Sequence, residues 1–269
     1  MMTRRTRVGL LLAVTMLVTV AAALTPRIGQ PQSYHTFADQ RRWLGIPNFG
    51  DVVSNVPFAI VGIWGLWFLF RLTPAQLRVH FIDARERWPY VLVACGLLLT
   101  AFGSGYYHLA PDNARLVWDR LPMTIVFMSL ISAMIAERIS VRAGLWLLPV
   151  LLVLGAASVV QWYWSELRDA GDLRFYGVVQ VYAGLVLVLM LFFPARYTRT
   201  SDLGMVVGWY LIAKLLETFD KPIFTLGHIV SGHTLKHLAA AMGGWWILRM
   251  VRKREPITVP RAAVTSPKL

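Results

Sequence analysis

The sequence predicts an all-α integral membrane protein, a bundle of spanning helices with little chain outside them. Of the 269 residues, 57% are hydrophobic and only 15% are charged, and the mean hydropathy is +0.55. A soluble chain carries roughly a quarter charged residues. The apolar excess also falls in long blocks separated by short charged stretches, whereas a soluble α/β protein dilutes it through short strands.

A spanning helix needs about 20 mostly apolar residues, and on that basis eight segments stand out. The first, Val8–Leu24, follows a positive stretch (Arg4, Arg5 and Arg7) and ends near Val20-Ala21-Ala22-Ala23. It reads either as a retained helix or as a signal peptide with a small-residue cleavage site. Seven further candidates follow: Val52–Phe70, Tyr90–Leu109, Leu121–Ala136, Gly144–Trp164, Phe175–Phe193, Leu203–Phe219 and Thr234–Val251. The organisation expected is therefore an N-terminal segment over 1–25, a helical membrane domain over 26–251, and a basic, Pro-containing, disordered tail over 252–269.

The formal net charge of +13 does not indicate nucleic acid, because the basic residues sit at helix ends. With the N-terminus inside, seventeen Lys and Arg residues lie inside and eight outside, while Lys214 and Lys236 fall within helices. That asymmetry places both termini in the cytoplasm. The single cysteine, Cys95, lies in an apolar helix, so neither an intrachain disulfide nor a cysteine-rich zinc site is available. Low cysteine content and short Arg-rich loops fit a bacterial inner membrane.

Ionisable groups are costly inside a membrane and mark functional sites by default. On this topology His108 ends the third segment, His233 and His237 begin the last, and Asp119 opens the fourth, all from the outer side. His233 and His237, four residues apart, share a helical face one turn apart. Two such imidazoles together with His108 form a three-nitrogen set for Zn²⁺, leaving a fourth position open as in catalytic zinc sites. Asp119 is the candidate proton carrier, and Ser104, one turn before His108, the candidate oxyanion donor. Each residue alone has a plainer explanation: an interfacial histidine, a helix N-terminal carboxylate, or a small residue in a helix contact.

These segments resemble the alkaline ceramidase family, within the superfamily that includes the adiponectin receptors and Per1-like proteins. The resemblance is carried by Ser54-Asn55, by Ser104-Gly-Tyr-Tyr-His108, by Asp119-Arg-Leu-Pro-Met123 and by His233-Thr-Leu-Lys-His237, and covers about residues 34 to 251. It implies a seven-transmembrane-helix hydrolase core preceded here by an extra N-terminal hydrophobic segment. It further implies zinc on His108, His233 and His237, water activation by Asp119, and oxyanion stabilisation by Ser104. Eukaryotic alkaline ceramidases also bind Ca²⁺ through an acidic N-terminal loop. Here that loop offers Asp39, Gln40, Asn48 and Asp51 beside Arg41 and Arg42, a weak set for a hard cation, so Ca²⁺ is not expected.

Glu217 and Asp220 are candidates for binding a substrate headgroup or hydrogen-bonding a ligand histidine, or are interfacial charges paired with Lys221, and Lys214 is expected to pair with Glu217 or to face the cavity. Lys236 is expected to point away from the histidines and snorkel outward, and His35, His80 and His228 to be interfacial. The resulting expectation is a zinc-dependent hydrolase that cleaves a membrane lipid amide, ceramide or a similar N-acyl lipid, to fatty acid and amine on the periplasmic side. An ester-cleaving lipid remodeller of the same superfamily and a non-catalytic zinc-containing receptor or lipid-binding protein are the alternatives.

Overall fold

The structure is a computed structural model that describes residues 2–257. Those residues are mostly helical, with no strand among them: α1 (Arg4–Leu24), α2 (Phe49–Val53), α3 (Val56–Arg71), α4 (Pro74–His80), α5 (Arg87–Leu109), α6 (Asn113–Arg138), α7 (Val141–Glu166), α8 (Arg174–Leu191), α9 (Ser201–Thr218), α10 (Asp220–Thr225) and α11 (Gly232–Lys253). Six helical segments are long and apolar enough to cross a membrane: α1, α2 with α3, α5 with the short 3-10 turn before it, α6, α7 and α8. This is the build of a multi-pass membrane protein. Their outward faces are apolar as well, with Ile60, Ile63 and Trp67 on α3 and Trp146, Val153 and Val160 on α7 all exposed, a surface suited to lipid rather than water. Helices α9 and α11 fall outside that length-and-composition class. They carry Asp202, Lys214, Glu217, Lys236 and Arg249 and pack along one another.

The packing order positions the site. Helix α3 lies against α5, α5 against α6, α6 against α7, α7 against α8, α8 against α9, α9 against α11, and α11 returns to α3. Helix α1 packs mainly on α8. The most enclosed element is α6, in which every residue from Met128 to Arg138 is buried.

Two expected boundaries differ for identifiable reasons. The second segment, read as one helix from Val52, is split into α2 and α3 at Ser54-Asn55. Pro57 stands in the first turn of α3, and without an N–H it cannot continue the α2 ladder. The Asn55 side chain donates to the Asp51 carbonyl (2.7 Å) and the Ser54 hydroxyl to the same oxygen (3.2 Å), which satisfies the backbone at the break. The fourth segment, read from Leu121, starts eight residues earlier. Asp112 caps α6 by accepting from the Arg115 N–H (2.7 Å), and the polar first turns escape a hydropathy criterion. Asp119 therefore lies in the second turn of α6 and does not open it.

Gly103 sets the α5–α6 contact. Pro122 deprives the Trp118 carbonyl of its usual helical donor, and that carbonyl packs onto Gly103, where a Cβ would lie 2.0 Å from the oxygen. Any side chain there forces α5 and α6 apart beside Ser104 and Asp119.

At the opposite end, Arg254 is buried and pairs with Glu137. It donates to the Tyr90 hydroxyl (3.1 Å) and the His80 carbonyl (3.1 Å). The tail expected over 252–269 thus begins as ordered chain: α11 runs to Lys253, and Pro256 bridges to Tyr197. Residues 258–269 lie outside the described residues.

The glycines yield a first test. Gly103→Ala is expected to destabilise the bundle by about 1–3 kcal/mol through overpacking. Gly105→Ala, which meets nothing within 4 Å, should be neutral or mildly stabilising. Thermal unfolding in detergent compares the two, and equal midpoints would show that the Trp118 contact does not constrain the fold.

Candidate metal centre

Helices α5 and α11 bring His108, His233 and His237 together. They are 1%, 5% and 4% exposed, and one ring nitrogen from each lies within 4.8 Å of those of the other two. The ring centroids are 4.8–4.9 Å apart. Three imidazoles so close and so deep, presented as neutral bases, are a group that can hold a metal ion.

The surroundings orient the rings. His237 Nδ1 lies 2.8 Å from the Ser54 hydroxyl. That hydroxyl donates to the Asp51 carbonyl, so its oxygen accepts from Nδ1–H, and Nε2 of His237 keeps its lone pair. This relay from backbone through Ser54 to imidazole is how a neighbouring group selects a ligating tautomer. His108 Nδ1 is buried without a hydrogen-bond partner, which fits a nitrogen reserved for a ligand. Phe37, from the loop before α2, covers the cluster, its ring 4.6 Å from His108 and 4.5 Å from His233.

Two polar ties fix the start of α11. Asp220 accepts from the His233 backbone N–H (2.8 Å) and from the Ala38 N–H (2.9 Å), so it positions His233 through the main chain. Asp51 accepts from the hydroxyls of Thr234 (2.7 Å) and Ser231 (3.3 Å). Gly232 permits the approach, since a Cβ there would lie 2.2 Å from the Leu216 carbonyl.

A cavity of about 350 Å³ opens beside the histidines. Its polar end is lined by Ser104, Asp119, Arg120, Glu217, Lys236 and His237. Its walls continue along α6 to Leu130 and along α11 to Ile247, ten or eleven residues from Asp119 and His237, or about 15 Å at 1.5 Å per residue. Ser104 is 1% exposed and Asp119 partly buried. The five residues read from the sequence as a site therefore converge on one place.

Other expectations are corrected. Lys236 does not snorkel away but lines the cavity, 2.9 Å from His233 Nε2 and 3.3 Å from Glu217. The cavity offers the ammonium both an acceptor nitrogen and a carboxylate, and the lipid-facing side neither. Glu217 pairs with Lys214 (2.6 Å) and Lys236, not Lys221. His35 joins Tyr107 and Asn113 through its two nitrogens, each at 2.9 Å, and so latches the N-terminal loop to α5 and α6.

The loop residues weighed for calcium have other partners. Arg41 chelates Asp39 and holds its carboxyl below the usual carboxylate range. The Asn48 amide donates to the His108 carbonyl (2.8 Å), and Asp51 serves α11. Sequence reasoning missed the Ser54 relay, the Lys236 contact and the buried Arg120. Only Ser54 carried a signal, as a hydroxyl placed three residues before the proline in the first turn of α3.

The site makes two predictions. Purified protein should bind one divalent ion per chain, and His233→Ala should lose it, as elemental mass spectrometry of the two proteins will read. Ser54→Ala should retain the ion with roughly 10- to 100-fold weaker affinity. Unchanged affinity in a competitive chelator titration would remove Ser54 from the centre.

Compared with known proteins, the chain matches no protein-family model and no curated protein.

Proposed function

We propose that the chain is a zinc-dependent membrane amidase that hydrolyses a lipid amide to a fatty acid and an amine, as its resemblance to the alkaline ceramidases implies. The observation that carries the reading is the buried histidine triad, of which His237 lines the polar end of a long apolar cavity together with Asp119 and Ser104. A non-catalytic metal site has no use for the carboxylate and the hydroxyl. A cavity that is polar at one end and apolar for about 15 Å suits a single acyl chain with its amide near the histidines.

His108, His233 and His237 would hold a zinc ion, which when bound would supply a Lewis acid for the carbonyl and lower the pKa of a water to about 7. Asp119 accepts the proton released as that water attacks the carbonyl carbon. The Ser104 hydroxyl donates to the oxygen on which negative charge develops. Asp119 then returns its proton to the nitrogen as the C–N bond breaks, and the neutral amine leaves. The apolar walls hold the chain and exclude bulk water, which strengthens each of these contacts.

On this reading α3, α5, α6, α7, α8, α9 and α11 form a seven-span core with α1 added outside it. The distribution of basic residues favours a site on the outer face, which in a bacterial inner membrane is the periplasmic side.

Asp119→Asn should keep its metal but lose turnover by at least about 100-fold. The assay incubates purified protein with ceramides and other N-acyl lipids and identifies products by mass spectrometry. Free fatty acid plus amine, abolished in the variant, supports the mechanism, and full activity in the variant refutes the role of Asp119. Cleavage of ester lipids alone would replace the amidase by an ester hydrolase on the same site.

A further inference from the structure

Among the charges lining the cavity, Asp119 and Arg120 form no ion pair with any described residue. Glu217 lies between two ammonium groups, Lys214 at 2.6 Å and Lys236 at 3.3 Å, so one carboxylate serves both. Asp119 is the other carboxylate in the wall, and the proposed chemistry engages it. Arg120, the next residue along α6, is 4% exposed and lines the same cavity. Among the described residues no carboxylate forms an ion pair with it.

Its surroundings hold the guanidinium without neutralising it. The group stacks over Trp162 at 4.1 Å and Tyr176 at 4.6 Å, with Tyr34 at 5.6 Å. Its Nη2 donates to the Gln30 amide oxygen at 2.7 Å. Nη1 is buried and has no hydrogen-bond partner. A buried guanidinium that is gripped by aromatic faces and oriented by one amide, yet left with a free donor and a full charge, is expensive unless an anion completes it. Planar N–H donors match the oxygens of carboxylate and phosphate.

We infer that Arg120 is the receptor for an anionic oxygen group on the ligand's head, so that the cavity takes an acidic amphiphile, one long apolar chain bearing a carboxylate or phosphate, in preference to one with a neutral head. The inference shares with the proposed function the view that the cavity holds a long-chain amphiphile, but it concerns binding and does not depend on turnover. It narrows the substrate class: the amine half of the scissile amide carries the negative charge, as in an N-acyl amino acid or a phosphorylated N-acyl lipid.

The test measures equilibrium binding to the full chain in neutral phosphatidylcholine nanodiscs. The radiolabelled probes are N-dodecanoylglycine, dodecyl phosphate and N-dodecanoylethanolamine. Wild type should bind the anionic probes roughly ten- to a hundredfold more tightly than the neutral one. The stronger of the two anionic arms identifies carboxylate or phosphate as the natural group. Arg120→Gln should erase the preference while leaving the neutral probe's affinity within about threefold, and Arg120→Lys should retain part of it. Equal binding of all three probes by wild type overturns the inference, as does an undiminished preference in Arg120→Gln. If the Gln variant fails to fold, the wild-type comparison decides alone: a preference of tenfold or more supports the anion receptor and equal affinities sink it. Hydrolysis is followed in the same samples. Anion preference without cleavage of any amide would retire the amidase and keep the receptor, and cleavage without preference would do the reverse.

Discussion

The need to partner every polar group inside an apolar bundle organises this protein. Away from water an unmet donor or acceptor costs several kcal/mol, so the few ionisable side chains among these helices have defined neighbours. Glu137 meets Arg254 at one end, Asp51 meets Thr234 and Ser231 at the other, and Glu217 sits between two lysines. Some buried polar atoms remain without partners, among them Asp51 Oδ2, Arg254 Nη2 and two beside the cavity. His108 Nδ1 and Arg120 Nη1 are buried without partners, and both belong to the polar end of one cavity or to the histidine cluster beside it.

The same ties that satisfy these groups also place the chemistry. Asp220 holds the His233 main chain and the loop bearing Phe37 at once, so the cluster and its aromatic cover are positioned by one carboxylate. The break at Ser54-Asn55 is forced by Pro57, yet it turns the Ser54 hydroxyl toward His237. Close backbone approach at Gly103 and Gly232 brings α6 to α5 and the start of α11 to α9 and α10. Stability and site geometry therefore rest on the same contacts, and substitutions that loosen the packing should also blur the site.

Most of the helical architecture was legible in the sequence, because lipid-sized apolar blocks are long and local. His108, His233, His237, Asp119 and Ser104 could be read as one site because topology alone assigns helix ends to membrane faces and a four-residue spacing shares a helical face. Boundaries failed where polar residues extend a helix past its apolar block, as in the first two turns of α6, or where one proline interrupts a continuous apolar run, as at Pro57. Lys236 failed for a different reason. Its direction depends on what the opposing helix offers, and Glu217 lies nineteen residues earlier on α9.

The sequence by itself determined the all-helical membrane class and the convergence of three imidazoles and a carboxylate on one end of the bundle, because hydropathy and helical periodicity are properties of neighbouring residues. Tertiary structure alone decided which charges meet across helices. Glu217 takes Lys236 from α11 as well as Lys214 from its own helix, whereas Arg120, indistinguishable in sequence from any interfacial arginine, is enclosed by Tyr34, Trp162 and Tyr176 and forms no ion pair among the described residues. The Glu217–Lys236 contact is a matter of distance between helices remote in sequence, and no local pattern encodes it.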